Sequence, residues 1–179
     1  MKAIQHFCTI TKHKILVMKG CFRVGLYKQG LLHDLSKYTW TEFRVGCKYY
    51  QGTRSPNNAE REDKGYSAAW LHHKGRNKHH YEYWIDYVVT DGKVGIAGMK
   101  MPKNYVVEMV MDRIAASKVY KGSAYKDSDP LQYYIQGGLM GNLIHEETAE
   151  LLEKLLRMLA EKGEDVTFAY IRREVLKKK

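Results

Sequence analysis

Residues 70–84 read WLHHKGRNKHHYEYW, and the fold of this stretch decides where two pairs of histidines point. In one straight helix His73 and His80 would lie about 10.5 Å apart along the axis, too far for one metal ion to join them. Gly75 argues for a break, because glycine loses more conformational freedom in a helix than any other residue. Ser67 suits the N-cap of a short helix ending at His73, and Asn77 suits the cap of a further helix running to about Val89. The spacing therefore predicts two helices meeting at a corner, with His72/His73 and His79/His80 close together. An earlier stretch, GLLHDLSK at 30–37, sets His33 beside Asp34, so five of the chain's eight histidines fall in two short segments. Imidazole plus carboxylate is a ligand mixture that iron, manganese, zinc and nickel accept. The pattern reads first as a divalent metal site.

A chain of 179 residues is most simply one domain, and at this length folding buries roughly 70% of the extended chain's surface without cross-links. Cys8, Cys21 and Cys47 are odd in number and lack C-x-x-C spacing, which argues against a disulfide framework or a thiolate zinc site. Reduced thiols in a cytoplasmic protein are the expectation. No apolar run approaches the roughly 20 residues that span a bilayer, and MKAIQHFCTITKHK lacks the apolar core of a secretory signal, so no membrane partner is expected. Thirty Lys+Arg against twenty Asp+Glu give a net charge of +10, with an isoelectric point near 9.4. That surplus favours anionic partners, from a phosphate-containing small molecule to nucleic acid, without choosing among them. Only residues 177–179 form a basic block, which reads as a flexible tail after a domain covering 1–176. Oligomeric state is not legible.

The remaining chain reads as helix. Thr9 or Thr11 suits the cap of a first helix with Ile15, Leu16, Val17, Phe22 and Val24 on its apolar side, His13 facing outward and Gly30 closing the unit. Leu31 to Phe43 reads as a second helix carrying His33, Asp34 and Lys37. QGTRSPNNAEREDKG at 51–65 reads as a surface loop, and DGKVGIAGMKMPKN at 91–104 as a glycine-rich loop that allows a short hairpin without requiring one. Pro102 suits the first turn of a helix reaching about Tyr120, on which Glu108 and Asp112 lie one turn apart and can point the same way. After a loop at 122–130 comes a last long helix with Leu143, Ile144, Leu151, Leu152, Leu155 and Leu159 as its stripe, ended by Gly163. One more helix is expected over 165–176. The pattern predicts an all-α, single-domain helical bundle.

With His33-Asp34, the later histidine pairs and Asp112 in this order, the chain resembles the HD superfamily of metal-dependent phosphohydrolases. The resemblance implies an HD-domain-like fold, with His33, Asp34 and Asp112 as core metal ligands and His13 as the early ligand. It further implies members of the pairs His72/His73 and His79/His80 as ligands of a second metal. The chain is also similar, through GLLHDLSK, HHKGRNKHHYEYW and MDRIAASKVY, to an uncharacterised family of small bacterial and phage proteins. The chemistry implied is metal-assisted hydrolysis of a nucleotide or other phosphate ester, with iron or manganese favoured over zinc, nickel or magnesium. Asp34 then bridges the metals, Lys37, Arg76 and Lys78 approach substrate phosphate, and Glu108 either orients a ligand histidine or acts as a base. A second class remains open, a non-enzymatic basic protein whose histidines hold a structural metal or contact nucleic-acid phosphates. Oxidative di-iron chemistry is a third.

Overall fold

In the computed structural model, which describes residues 1–137 and 143–177, the first helix outruns its expected caps: α1 spans Lys2–Arg23 and contains both Thr9 and Thr11. Those hydroxyls bond instead to the hydroxyls of Tyr50 and Tyr38. His6, Ile10, His13, Val17 and Cys21 recur every three to four residues and form its buried stripe. His13 therefore faces inward, not outward as predicted. The single helix expected from Leu31 to Phe43 is divided into α2 (Tyr27–Leu32), a 3₁₀ turn at Leu35–Tyr38 and α3 (Trp40–Tyr49). The division falls at Asp34, whose φ of 55° cannot continue a right-handed helix.

The polar stretch read as a loop contains α4 (Pro56–Lys64), with the Ser55 hydroxyl accepting from the Asn57 N–H and Pro56 in the first turn. Next comes α5 (Ala68–Lys74), capped by Ser67 through the Trp70 N–H and left at Gly75, as predicted. Asn77 caps no helix. Its side-chain amide donates to the His73 carbonyl and the Ser36 hydroxyl, tying the corner together.

The all-α prediction is corrected by residues 85–98. Ile85–Thr90 (β1) and Lys93–Gly98 (β2) pair as an antiparallel hairpin where a helix through Val89 was expected. Ile85, Val88, Val89 and Thr90 are β-branched and favour strand over helix. Asp91 and Gly92, at φ 51° and 73°, make a two-residue turn with both central residues left-handed, the geometry that matches strand twist. The fold is largely helical with this one sheet among the described residues.

After Pro102, α6 (Lys103–Lys121) buries Val106, Val107, Glu108, Met109, Val110 and Met111 in succession. A helix covered nearly all round is a central one, and α6 packs between α1 and α8. α7 (Asp129–Gln136) begins on the last two residues of the expected loop and is a separate helix ahead of the long one. α8 (Glu146–Tyr170) supplies Leu152, Leu155, Leu156 and Leu159 to the core; Leu143 and Ile144 lie before it. The stop predicted at Gly163 is a kink, φ 75°, beyond which the chain stays helical and closes in a π-helical turn at Ile171–Val175. Of the basic tail, Lys178 and Lys179 lie outside the described residues. Among those residues no helix is long and apolar enough to cross a membrane.

The contact between α1 and α3 is unusually close at one point, because a Cβ on Gly46 would stand 2.0 Å from His6 Nε2. Gly46→Ala is expected to lower stability by about 1–3 kcal/mol in urea unfolding, the usual range for overpacking. The same substitution should cost less in a His6→Ala background. An equal cost in both backgrounds would show that the ring is not what Gly46 makes room for.

Candidate metal centre

Asp34 sits where α2 has ended and the 3₁₀ turn begins, with left-handed backbone and a side chain 2% exposed. Aspartate tolerates this conformation better than most residues, yet strain of this kind, of order 1–3 kcal/mol, concentrates at functional positions. The turn aims the carboxylate between two sets of imidazoles. On the Oδ2 side stand His13 Nε2 at 3.7 Å and His33 Nε2 at 3.3 Å. Asp112 Oδ1 closes this side, 2.9 Å from His13 Nε2 and 3.6 Å from His33 Nε2. On the Oδ1 side stand His73 Nε2 at 3.2 Å and His79 Nε2 at 3.4 Å, with the His80 ring tilted against theirs at 4.8 Å and 4.1 Å between centroids.

These contacts are close without being satisfied hydrogen bonds. Among the described residues, both oxygens of Asp34 and the Nε2 atoms of His73, His79 and His80 are buried with no regularly aligned hydrogen-bond partner. Lys37 Nζ, 2.6 Å from Oδ2, offsets charge on that oxygen; the other four groups stay unpaired, which is costly, and buried polar atoms in proteins are almost always partnered. Bound cations would resolve them. Donor atoms of His13, His33, Asp34 and Asp112 all lie within 4.8 Å of one another, as do those of Asp34, His73, His79 and His80. That spread suits metal–ligand bonds of about 2.0–2.2 Å. The donors fit two divalent ions that share Asp34.

A second ring of acids orients the first. Glu108 Oε1 lies 2.9 Å from His33 Nδ1 and 3.2 Å from His79 Nδ1, and Glu42 Oε2 lies 2.8 Å from His73 Nδ1. A carboxylate at Nδ1 accepts the N–H there and leaves Nε2 as the lone-pair donor facing Asp34. Burial would depress the imidazolium of His33, but Asp34, Asp112 and Glu108 raise it well above the usual 6.5. His73 is raised likewise: burial opposes, while Asp34 and Glu42 prevail. Burial would raise the carboxyls of Asp34 and Asp112, yet the surrounding histidines, with Lys37 beside Asp34, hold both well below the usual 3.8. His13 is lowered by burial and by Lys37, and His80 by burial and by the charges of His79 and His73.

One side of the centre opens to a cavity of about 590 Å³ lined by His13, His73, His80 and Asp112. Lys37 reaches the same space, its Nζ 2.6 Å from Asp34 Oδ2. Of the ligands predicted, His13, His33, Asp34, His73, His79, His80 and Asp112 converge. His72 does not: its Nδ1 is 2.7 Å from Glu42 Oε1, away from Asp34. Arg76 and Lys78, predicted to bind substrate, stand outside the cavity. The first donates to the His72 carbonyl, and the second lies 5.7 Å over the Tyr83 ring. Glu108 is 4% exposed behind the imidazoles, so of its two predicted roles its position serves orientation. Sequence reading missed Glu42, which carried no motif, and the cavity cations Arg61 and Arg113.

Residues 2–158 match the model of a family of unknown function, DUF5662, and the chain belongs to it. No curated protein and no solved structure matches.

In metal-free protein the lowered imidazoles of His6, His13 and His80 act in the opposite sense to the raised ones, but mainly below pH 6.5, where an unfolded imidazole is protonated, so above it the raised groups set the pH response. Groups raised in the fold, His33 and His73, stabilise fully below 6.5, and that contribution is lost as pH climbs through their raised values. Chelator-stripped protein is therefore expected to melt at lower temperature at pH 8.0 than at pH 6.5. A stoichiometric divalent metal, which replaces those protons at Nε2, should remove most of that fall. Equal or higher stability at pH 8.0 without metal would contradict the assignment.

Proposed function

We propose that this chain is an HD-type, divalent-metal-dependent phosphohydrolase acting on a small phosphate ester. The observation that carries the reading is Asp34, whose two buried oxygens each face a separate set of imidazoles and, apart from the Lys37 ammonium on Oδ2, find no regular hydrogen bond. His13, His33 and Asp112 would hold one ion, His73, His79 and His80 the other, and Asp34 both. Two such ions acidify water and offset negative charge on a phosphoryl oxygen.

The chain's own residues supply the rest. Glu108 and Glu42 keep the Nε2 atoms of His33, His79 and His73 directed at Asp34. Burial would lower the Lys37 ammonium, but Asp34 and Asp112 keep it protonated, so it donates to a phosphate oxygen and does not act as a base. Hydrolysis spends one water and releases an alcohol and phosphate. A cavity of about 590 Å³ suits a small molecule more than a polymer, which favours the enzyme over the nucleic-acid-binding alternative.

Elemental analysis of protein prepared without chelator is the first test. Wild type is expected to hold close to two equivalents of iron, manganese, zinc or nickel, Asp34→Ala close to none, and Asp112→Ala or His80→Ala close to one. Phosphate-ester turnover should follow the metal, and Glu108→Gln should weaken metal affinity or activity by about 10–100-fold while the protein stays folded. Wild-type protein that takes up no supplied metal would end the hydrolase reading.

A further inference from the structure

Five cations line the cavity, Lys37, Arg54, Arg61, Arg113 and Lys121. Three are committed to carboxylates: Lys37 to Asp34, Arg54 to both oxygens of Glu62 at 2.6 Å, and Lys121 to Asp129 at 2.7 Å. Arg113 lies over Tyr134, 5.7 Å from the ring centroid. Arg61 differs from the three committed cations. Its Nη1 donates to Asn58 Oδ1 at 2.9 Å, its Cζ lies 5.4 Å from the Trp70 ring centroid, and it meets no carboxylate among the described residues. Glu82, also on the wall, makes no ion pair with it.

The position of that guanidinium is set from both ends. Arg61 comes from α4, one turn after Asn58, and is pinned against Trp70, which packs on the rings of His73 at 5.6 Å and His80 at 4.7 Å. One indole therefore separates the guanidinium from the metal-facing histidines. A half-buried guanidinium has five N–H donors in a rigid fork that matches phosphate or carboxylate, and here a single side-chain acceptor is supplied. The contact with the indole and the hydrogen bond to Asn58 restrict the fork and lower the entropic cost of binding an anion.

We infer that the substrate carries a second anionic group, phosphate or carboxylate, which Arg61 binds across the cavity from the ester that is cleaved. This rests on the phosphohydrolase reading and names its substrate class: a small molecule with anionic groups at both ends. Arg61 is then the residue that selects such molecules over simple monoesters.

The test is calorimetric titration of manganese-loaded protein with pentane-1,5-diphosphonate and with pentylphosphonate, which share a chain and differ in the second anion. Wild type should bind the diphosphonate about tenfold more tightly, the scale of one hydrogen-bonded charge. Arg61→Met, which keeps an apolar side chain on Trp70, should lose that preference while its pentylphosphonate affinity and metal content stay at wild-type values. Equal wild-type affinities for the two probes, or an Arg61→Met variant weakened equally toward both, would overturn the second-anion assignment alone. Loaded wild type that binds neither phosphonate would overturn the phosphohydrolase reading and this inference with it.

Discussion

A carboxylate that is 2% exposed, on left-handed backbone and without an aligned hydrogen bond to either oxygen, is an expensive thing to build into a small protein. Each part of that arrangement costs free energy: the conformation, the desolvation and the unmet acceptors. The surrounding architecture is what keeps Asp34 there. Lys37, one 3₁₀ turn later, sets an ammonium against Oδ2. Imidazoles from α1, α5 and the corner that follows it close the remaining sides. Without a strongly attractive centre, so many titratable groups would not be expected to gather into adjoining sets of three or four, each with its donor atoms within 4.8 Å of one another.

The helices deliver these groups by simple periodicity. On α6, Glu108 and Asp112 are four residues apart and so lie on one face, where the first holds the outer nitrogens of His33 and His79 and the second meets the inner nitrogens of His13 and His33. α6 can carry a buried Glu108 and a half-buried Asp112 because its apolar residues anchor it to α1 and α8 on its other sides. The break at Gly75 does for His73 and His79 what a continuous helix could not, bringing both Nε2 atoms to the same oxygen of Asp34. Asn77 fastens that corner through Ser36, beside the Asp34 turn.

Much of the centre was legible because its chemistry is local in sequence: His33-Asp34 and the paired histidines stand out by residue type, and Asp112 by its helical spacing from Glu108. What pairs across space was not legible. His72 and His73 look equivalent in sequence, and only the facing of α5 toward α3 sends both outer nitrogens to Glu42. A helix capped at Thr9 turns His13 outward, whereas a start at Lys2 lengthens the buried stripe and turns His13 in. The hairpin had its signals, β-branched residues and Asp91-Gly92, but a cap at Asn77 favoured a longer helix on paper. Arg61 lay unseen because Ser55-Pro56, which starts α4, resembles a loop when its polar neighbours are weighed first.

The account stands on two ions flanking one aspartate. Anomalous diffraction from crystals grown with manganese or iron measures this directly. Two peaks are expected on opposite sides of Asp34, each about 2.0–2.2 Å from its nearest donors, one among His13, His33 and Asp112 and the other among His73, His79 and His80. No peak beside Asp34 at saturating metal, or a single peak with the other set of histidines empty, would contradict it.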